Sequence, residues 1–494
     1  MRSDILRLGR STLIYGIGQV LVRLVSLLLL PVFTSYLTPL DYGVSSILGV
    51  LIFFVTPVFA LGISGAIGVV YFERSDPRRQ SATIWTALAL VTVSAGSLVA
   101  IGALNADHLV TLLFGETPPT YDLEYLVVLA LLTAGMSIVS LPMLLSLQLA
   151  ERAKSFVAIT VASAGLSILL SLVFIVVFSR GVAGFIEAGA IAQAVTLLLA
   201  TWVSILRIPF RLDVEIAFAL LRLGIPLLPT FIAALVIQQA NKYLLQAIEG
   251  LDAVGLYTIG FNLGMLSALI ISAFTNAWFP FFSSFMERQS AAAPVIARIM
   301  TYYVVGVGSL SLMFFIWARP VALVMLQPRF HDAFASVGPS AAAQFLLGAH
   351  SILSATMYFA KDVRYAIVIQ GAAAILSIAL NLALIPLLGT RGAAIALILG
   401  VLSMVIVQLA WNRYRDYLAI PYEGRRILPF AVLYVALAAL FLVGRDFPLW
   451  LELVASVVSS AVVAIAVLAL TTASERATAR ELILSRVRGG TTQA

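Results

Sequence analysis

The sequence predicts an all-α polytopic membrane protein of about 14 transmembrane helices, built as two parallel-repeat six-helix bundles with two extra helices at the C-terminal end. Three observations carry this: an apolar composition, fourteen spaced hydrophobic runs, and an internal repeat. Of 494 residues, 62% are hydrophobic and only 11% charged. Soluble domains run at about 45–50% apolar and about 25% charged. A chain this poor in polar residues cannot cover a water-facing surface, so lipid must cover it.

A spanning helix needs about 20 mainly apolar residues. Candidate spans run approximately 11–37, 42–72, 81–104, 123–149, 154–178, 182–206 and 219–248 in the first part of the chain. They continue as 255–286, 295–317, 338–360, 364–388, 392–411, 427–444 and 448–470. The first run follows a basic segment, Met1 to Arg10, as a signal peptide would, but is too long for one and leads straight into more helices, so it reads as a retained span. Pro31, Pro57, Pro142, Pro226 and Pro280 fall inside spans, where membrane helices tolerate proline as a bend.

Charge gives the orientation. Numbering the loops alternately, the N-terminus, 73–80, 150–154, 207–222, 286–298, 361–364, 411–426 and the tail hold 23 of the 30 Lys and Arg residues. The opposite loops hold five, namely Arg180, Arg319, Arg329, Arg391 and Arg445. The positive-inside rule therefore places both termini in the cytoplasm. The net charge of +7 belongs to this topology pattern, and nucleic acid is not expected as a partner. The tail with Glu475, Arg476, Arg480, Arg486 and Arg488 reads as a solvated segment or a short amphipathic helix on the headgroups.

Four short stretches recur in order. Leu6-Arg7-Leu8-Gly9 returns as Leu221-Arg222-Leu223-Gly224, and Tyr71-Phe72-Glu73-Arg74 as Phe285-Met286-Glu287-Arg288. Leu109-Val110-Thr111-Leu112 returns as Leu323-Val324-Met325-Leu326, and Ser179 to Ala183 as Thr390 to Ala394. The offset stays between 211 and 215. Spans 1–6 and 7–12 thus read as duplicated bundles. Six is even, so the repeats are parallel, and a substrate path between them is expected. The expected units are residues 1–215, 216–415, the extra helices at 416–470, and a cytoplasmic tail at 471–494.

Three stretches carry a family resemblance: Leu37-Thr38-Pro39-Leu40-Asp41-Tyr42-Gly43 after span 1, Asn276-Ala277-Trp278-Phe279-Pro280 in span 8, and Leu387 to Ala394 between spans 11 and 12. Through these, over roughly residues 5–412, the chain resembles the Wzx-type polysaccharide flippases. Their superfamily also holds the multidrug and toxic-compound extruders and the lipid II flippases. The resemblance implies a transporter, not an enzyme, in a bacterial cytoplasmic (inner) membrane. It would pass an undecaprenyl-pyrophosphate-linked oligosaccharide from inner to outer leaflet by alternating access. A polysaccharide polymerase and a chain-length regulator are implied partners. Related proteins often carry an aspartate–arginine pair in span 7, whereas here Asn241-Lys242-Tyr243 keeps a cation and no carboxylate.

An ionisable side chain at mid-helix costs about 2.5–3.5 kcal/mol to insert, so each is a functional candidate. Arg23 sits near the centre of span 1, with Gln19 one turn earlier on the same face. Its guanidinium would receive the substrate pyrophosphate in a bidentate fork, or else cap carbonyls between helices. Lys242 in span 7, flanked by Gln238, Asn241 and Gln246, marks a face lining substrate, or a snorkelling lysine. Because spans 1 and 7 head the two repeats, Arg23 and Lys242 are expected to face each other. Asn262 and Asn276 of span 8 would line a saccharide path or bond neighbouring helices. Glu187 in span 6 is a candidate for ion coupling or the partner of Arg180, and His350 in span 10 a second coupling candidate or a packing residue.

With no cysteine and three scattered histidines, no metal site or cofactor is expected. No nucleotide-binding or hydrolase motif occurs, so no catalytic residue is assigned. The alternatives are a lipid II flippase or a drug or cation antiporter of the same superfamily. A membrane-embedded glycan polymerase or ligase is disfavoured because no loop is large. A monomer is expected, since two halves already supply the walls of a path.

Overall fold

A computed structural model of the protein describes residues 25–73, 76–115, 121–443, 448–472 and 475. The described residues form helices and connecting turns with no strand. That is the expected all-α class, because in a bilayer each backbone N–H and C=O must be satisfied within its own helix. Twelve helices are long and apolar enough to cross a membrane. They match spans 2–9 and 11–14 to within a few residues, as with Leu123–Leu149 for span 4 and Gly181–Arg207 for span 6. Span 10 is the helix Phe334–Phe359. It is less apolar than the others, yet buried along most of its length, from Phe334 through Phe345 without a break. A helix wrapped by protein needs no lipid-facing surface, and its Ala, Ser and Gly residues allow close neighbours. Of span 1, only the end near Leu30–Tyr36 is described.

Two short helices, Ala106–Phe114 and Ala318–Met325, lie outside the spans. They carry the repeated Leu109–Leu112 and Leu323–Leu326 stretches, so sequence self-similarity marks equivalent structure. Packing recurs in the same order too. Span 6 packs on spans 4 and 5, and span 12 on spans 10 and 11; span 4 packs on span 3, and span 10 on span 9. Spans 13 and 14 dock on span 9. There Tyr434 Oη bonds Ser311 Oγ at 2.8 Å, Ser456 donates to the Ile316 carbonyl at 2.9 Å, and Arg319 pairs with Glu452.

Several spans are broken, and proline explains only part of it. Span 7 kinks at Ile225–Leu227, where Pro226 interrupts the helix. Span 2 breaks at Leu61 and Gly62, both at positive φ (55° and 65°), one turn after Pro57. Span 8 breaks at Met265–Ser267 with no proline at all. Pro142 and Pro280 sit inside continuous helices.

On the face rich in basic loops, Glu475 ties the start of the tail to the bundle. Its carboxylate accepts from Arg426 Nη2 at 2.9 Å, Tyr302 Oη at 2.7 Å and the Thr472 amide at 2.7 Å. Desolvation alone would raise its pKa, but these donors outweigh it and hold the carboxyl at about 2. A carboxyl depressed in the folded state adds stability above its unfolded value, about 4.3, and loses it as pH falls toward the folded value. Glu475→Gln is therefore expected to lower the thermal midpoint of the detergent-solubilised protein at pH 7. The gap to the unsubstituted protein should narrow as pH is taken from 5 down to 2.5, followed by tryptophan fluorescence.

Candidate functional site

The two halves meet where span 2 packs along span 8, and the contact is close enough to exclude side chains. A Cβ added at Gly43 would lie 2.1 Å from the Leu251 carbonyl oxygen, and one at Gly255 would lie 1.9 Å from that of Pro39. One turn further in, Thr258 Oγ1 donates to Ser46 Oγ at 2.7 Å. Gly43 and Gly255 are 212 residues apart, and so are Ser46 and Thr258, which is the period of the internal repeat. The seam is thus self-complementary: equivalent residues of the two halves face each other across a local two-fold axis.

The sequence dictates the local geometry. Thr38 caps span 2, with Pro39 at its first turn and Asp41 Oδ2 accepting the Thr38 amide at 2.7 Å, a reciprocal capping box. Asp41 Oδ1 also accepts from Tyr121 Oη at 2.9 Å, which ties this end of span 2 to the start of span 4. The Thr38–Gly43 stretch is therefore a helix start fused to a helix contact. Trp278 in span 8 donates to the Ser351 carbonyl at 3.1 Å and anchors that helix to span 10. Gly389, at φ 56°, turns the chain from span 11 into span 12.

Span 7 joins the seam and changes partners along its length. Its first segment, Val214–Gly224, packs on spans 2 and 3, and a Cβ on Gly62 would meet the Gly224 carbonyl at 2.1 Å. After the Pro226 kink, Leu228–Glu249 packs on spans 11, 2 and 8. Lys242 lies on this second segment and is buried, at 7% exposure. Its Nζ stands 4.7 Å from the centroid of the Phe261 ring of span 8, and no carboxylate pairs with it among the described residues. A desolvated cation–π contact is worth about 2 kcal/mol. That falls short of the about 2.5–3.5 kcal/mol a buried lysine costs to insert. The ammonium is left with unspent capacity for an anion.

Asn241, beside it, donates through Nδ2 to Tyr257 Oη, while its Oδ1 and the Oε1 of buried Gln239 have no partner among the described residues. Gln238 is half-buried on the same segment. Gln246 is used elsewhere, donating to the Phe114 carbonyl at 3.1 Å. Asn262 and Asn276 are both exposed, with the Met265–Ser267 break between them, so simple helical counting does not relate their directions. Glu187 accepts from Arg180 at 2.8 Å and Tyr125 at 2.9 Å, which pins spans 4 and 6 together. His350 lies on span 10 next to Gln408, with its Nε2 unpartnered. Arg23 and Gln19 lie outside the described residues. Among the described residues no cluster of His, Cys, Asp or Glu is arranged to hold a metal ion. Sequence reasoning missed the paired glycines, although their spacing equals the repeat offset and was there to be read.

This arrangement defines a class: an all-α multi-pass membrane protein whose two halves abut along spans 2, 7 and 8. The chain belongs to the family described as polysaccharide biosynthesis protein, whose model matches residues 8–286. Solved structures share the fold. The lipid II flippase MurJ in an inward closed conformation is 13% identical, covers 92% of this chain and 98% of its own, and superposes with a TM-score of 0.65. An inward-facing multidrug resistance MATE family transporter of the MOP superfamily is 18% identical, covers 80% and 98%, and gives 0.63. A MOP superfamily transporter from Pyrococcus furiosus, described by the reverse polarity of its binding pocket, is 18% identical, covers 83% and 95%, and gives 0.56. No curated protein sequence matches the chain.

The seam makes a direct prediction. Overpacking costs about 1–3 kcal/mol, which shifts a two-state ratio about 5- to 150-fold. Gly43→Leu should therefore open the seam. The natural chain has no cysteine, so a Ser46→Cys reporter can be read with a membrane-impermeant maleimide. Labelling is expected to be slow in the Ser46→Cys protein and fast once Gly43→Leu is added.

Proposed function

We propose that the protein is a flippase that carries an undecaprenyl-pyrophosphate-linked oligosaccharide from the inner to the outer leaflet by alternating access, for synthesis or export of a surface polysaccharide. The observation that carries the reading is Lys242: a buried cation at the seam between the halves, faced by an aromatic ring and by no carboxylate among the described residues. An anionic headgroup supplies what that ammonium lacks, and a guanidinium at Arg23 on the repeat-equivalent span would supply a second contact. Membership in a polysaccharide biosynthesis family and a transporter fold support the same direction. A small-cation extruder would need carboxylates where this seam carries an ammonium.

In this reading residues 1–215 and 216–415 rock against each other, with the glycine-paired contact of spans 2 and 8 closing the outer side. The basic loops then face the cytoplasm of a bacterial inner membrane, and helices 416–470 stay peripheral. Glu187, held by Arg180 and Tyr125, acts within one half. His350, half-buried beside Gln408, is the group left for ion coupling. A single chain suffices for the path, and a polymerase and chain-length regulator would receive the product.

The direct test is translocation of labelled undecaprenyl-pyrophosphate saccharide in proteoliposomes, with and without a proton gradient. Movement dependent on the protein is expected, and none under either condition would remove the reading. A charge-assisted hydrogen bond is worth about 1.5–3 kcal/mol. Lys242→Gln should thus slow translocation about ten- to a hundredfold, and Lys242→Arg much less. Full complementation of a flippase-null strain by an Arg23→Gln, Lys242→Gln protein would sink the cationic assignment.

A further inference from the structure

Away from the seam, spans 4, 5 and 6 line an open-sided cavity of about 510 Å³ in the first half of the protein. That is within the range of about 300–1,000 Å³ usual for small-molecule sites. Span 4 packs closely on span 6, and so does span 5, but spans 4 and 5 diverge, and the cavity lies between them. It is lined along three helix faces at helical spacing. Span 4 contributes Ser137, Ser140 and Gln148; span 5 contributes Thr160, Ser163 and Ser167. Span 6 closes the floor with Gln193 and Thr196. At 1.5 Å per residue, the eleven steps from Ser137 to Gln148 extend about 16 Å, from mid-helix to the face with the basic loops.

The lining has a defined chemistry. Among the described residues it holds no charged side chain. Hydroxyl and amide groups both donate and accept, and here many are already set in place. Ser163 bonds Thr196, Gln193 Nε2 donates to Ser140 Oγ at 3.1 Å, and Thr160 donates to the Phe156 carbonyl at 3.0 Å. Three have no protein partner among the described residues: Ser137, Ser167 and Gln148. Leu141, Leu144 and Leu145 supply apolar surface on the span 4 side. Span 5 is otherwise mostly half-buried, with only 17% of its apolar window fully buried. A polar face on such a helix is costly unless something polar meets it. A neutral polyol, with hydroxyls on its edges and C–H groups on its faces, matches this lining. Among the described residues a pyrophosphate would find no cation here, and a drug cation no carboxylate.

We propose that this cavity is a saccharide subsite, which holds the uncharged sugar portion of the cargo while the cationic seam holds its pyrophosphate. The proposal rests on the flippase reading for its cargo, but its binding content stands separately. Anionic and neutral parts of one molecule are then held by different regions of the protein. Length and identity of the sugar are read by spans 4–6 of the first half, and the charge by spans 7 and 8.

The test uses the full chain in nanodiscs and proteoliposomes. The binding probe is a panel of free neutral trisaccharides of glucose, galactose, mannose and N-acetylglucosamine, observed by saturation-transfer NMR. The transport probe is undecaprenyl pyrophosphate carrying a neutral trisaccharide. Saturable binding of at least one trisaccharide is expected. Ser163→Ala with Thr196→Val, which removes two hydroxyls without adding volume, should weaken it at least tenfold. Ser167→Phe, which fills the cavity, should abolish it and slow trisaccharide-lipid translocation at least tenfold. If Ser167→Phe does not purify as a single species, Ser137→Leu fills the space from the facing helix. No saturable binding by the natural protein, or wild-type binding and translocation by a well-folded filled variant, would overturn the proposal. Binding lost on filling, with no translocation by the natural protein, keeps the saccharide site and removes the flippase reading.

Discussion

Spans 2 and 8 approach until backbone touches backbone, and the rest of the molecule is arranged around that contact. In a bilayer there is no hydrophobic gain from bringing two apolar helices together, because lipid is as apolar as leucine. Close packing and interhelical hydrogen bonds must do it instead. Gly43 and Gly255 permit the approach, and Ser46 with Thr258 adds a polar bond. Since equivalent residues of the two halves meet, one constraint on one helix start is used twice. The capping box at Thr38 and Asp41, with Tyr121 behind it, fixes where span 2 begins and hence where its glycine falls.

The polar groups within the membrane divide by whether their cost is met internally. Glu187 is met by Arg180 and Tyr125, and Glu452 by Arg319. These join helices within one half or dock the peripheral pair, and they leave little capacity for a ligand. Among the described residues Lys242 is met only by a ring, and Asn241 and Gln239 each keep an unpartnered oxygen. Unmet polarity thus falls on the second segment of span 7, the helix that packs on both halves, and continues on span 11 packed against it, where Gln370, Ser377 and Asn381 each keep an unpartnered oxygen among the described residues. The cavity of spans 4–6 is a different case, with neutral hydroxyls already oriented and spare capacity distributed along its walls.

Several features were legible before any coordinates. Spans 2–9 and 11–14 follow from runs of apolar residues, because lipid imposes length and hydropathy on any helix that faces it. The repeated stretches located the two short helices and the turns at Ser179–Ala183 and Thr390–Ala394. Lys242 stood out because a charge in an apolar run has few inexpensive explanations. Span 10 was less plain, since a helix sheathed by protein is freed from the lipid's demand. The break in span 8 has no proline to announce it, and it lies where Gly264 meets the backbone of span 10 at Val337.

What the sequence determined by itself is therefore the class: membrane residence, the number and order of spans, their duplication and the unequal charge of the two faces. Each is a property of segments read one at a time against a uniform solvent. The tertiary structure decided which residues share a space. It showed that Gln246 is spent on the Phe114 carbonyl, and that Asn262 and Asn276 are separated by a break. It also set Lys242 under Phe261 and aligned three modest Ser/Thr/Gln faces around one cavity. Hydroxyls on a membrane helix carry no individual signal, because each can bond back to its own backbone one turn away. Only the convergence of three helices distinguishes a lined cavity from ordinary helix surface.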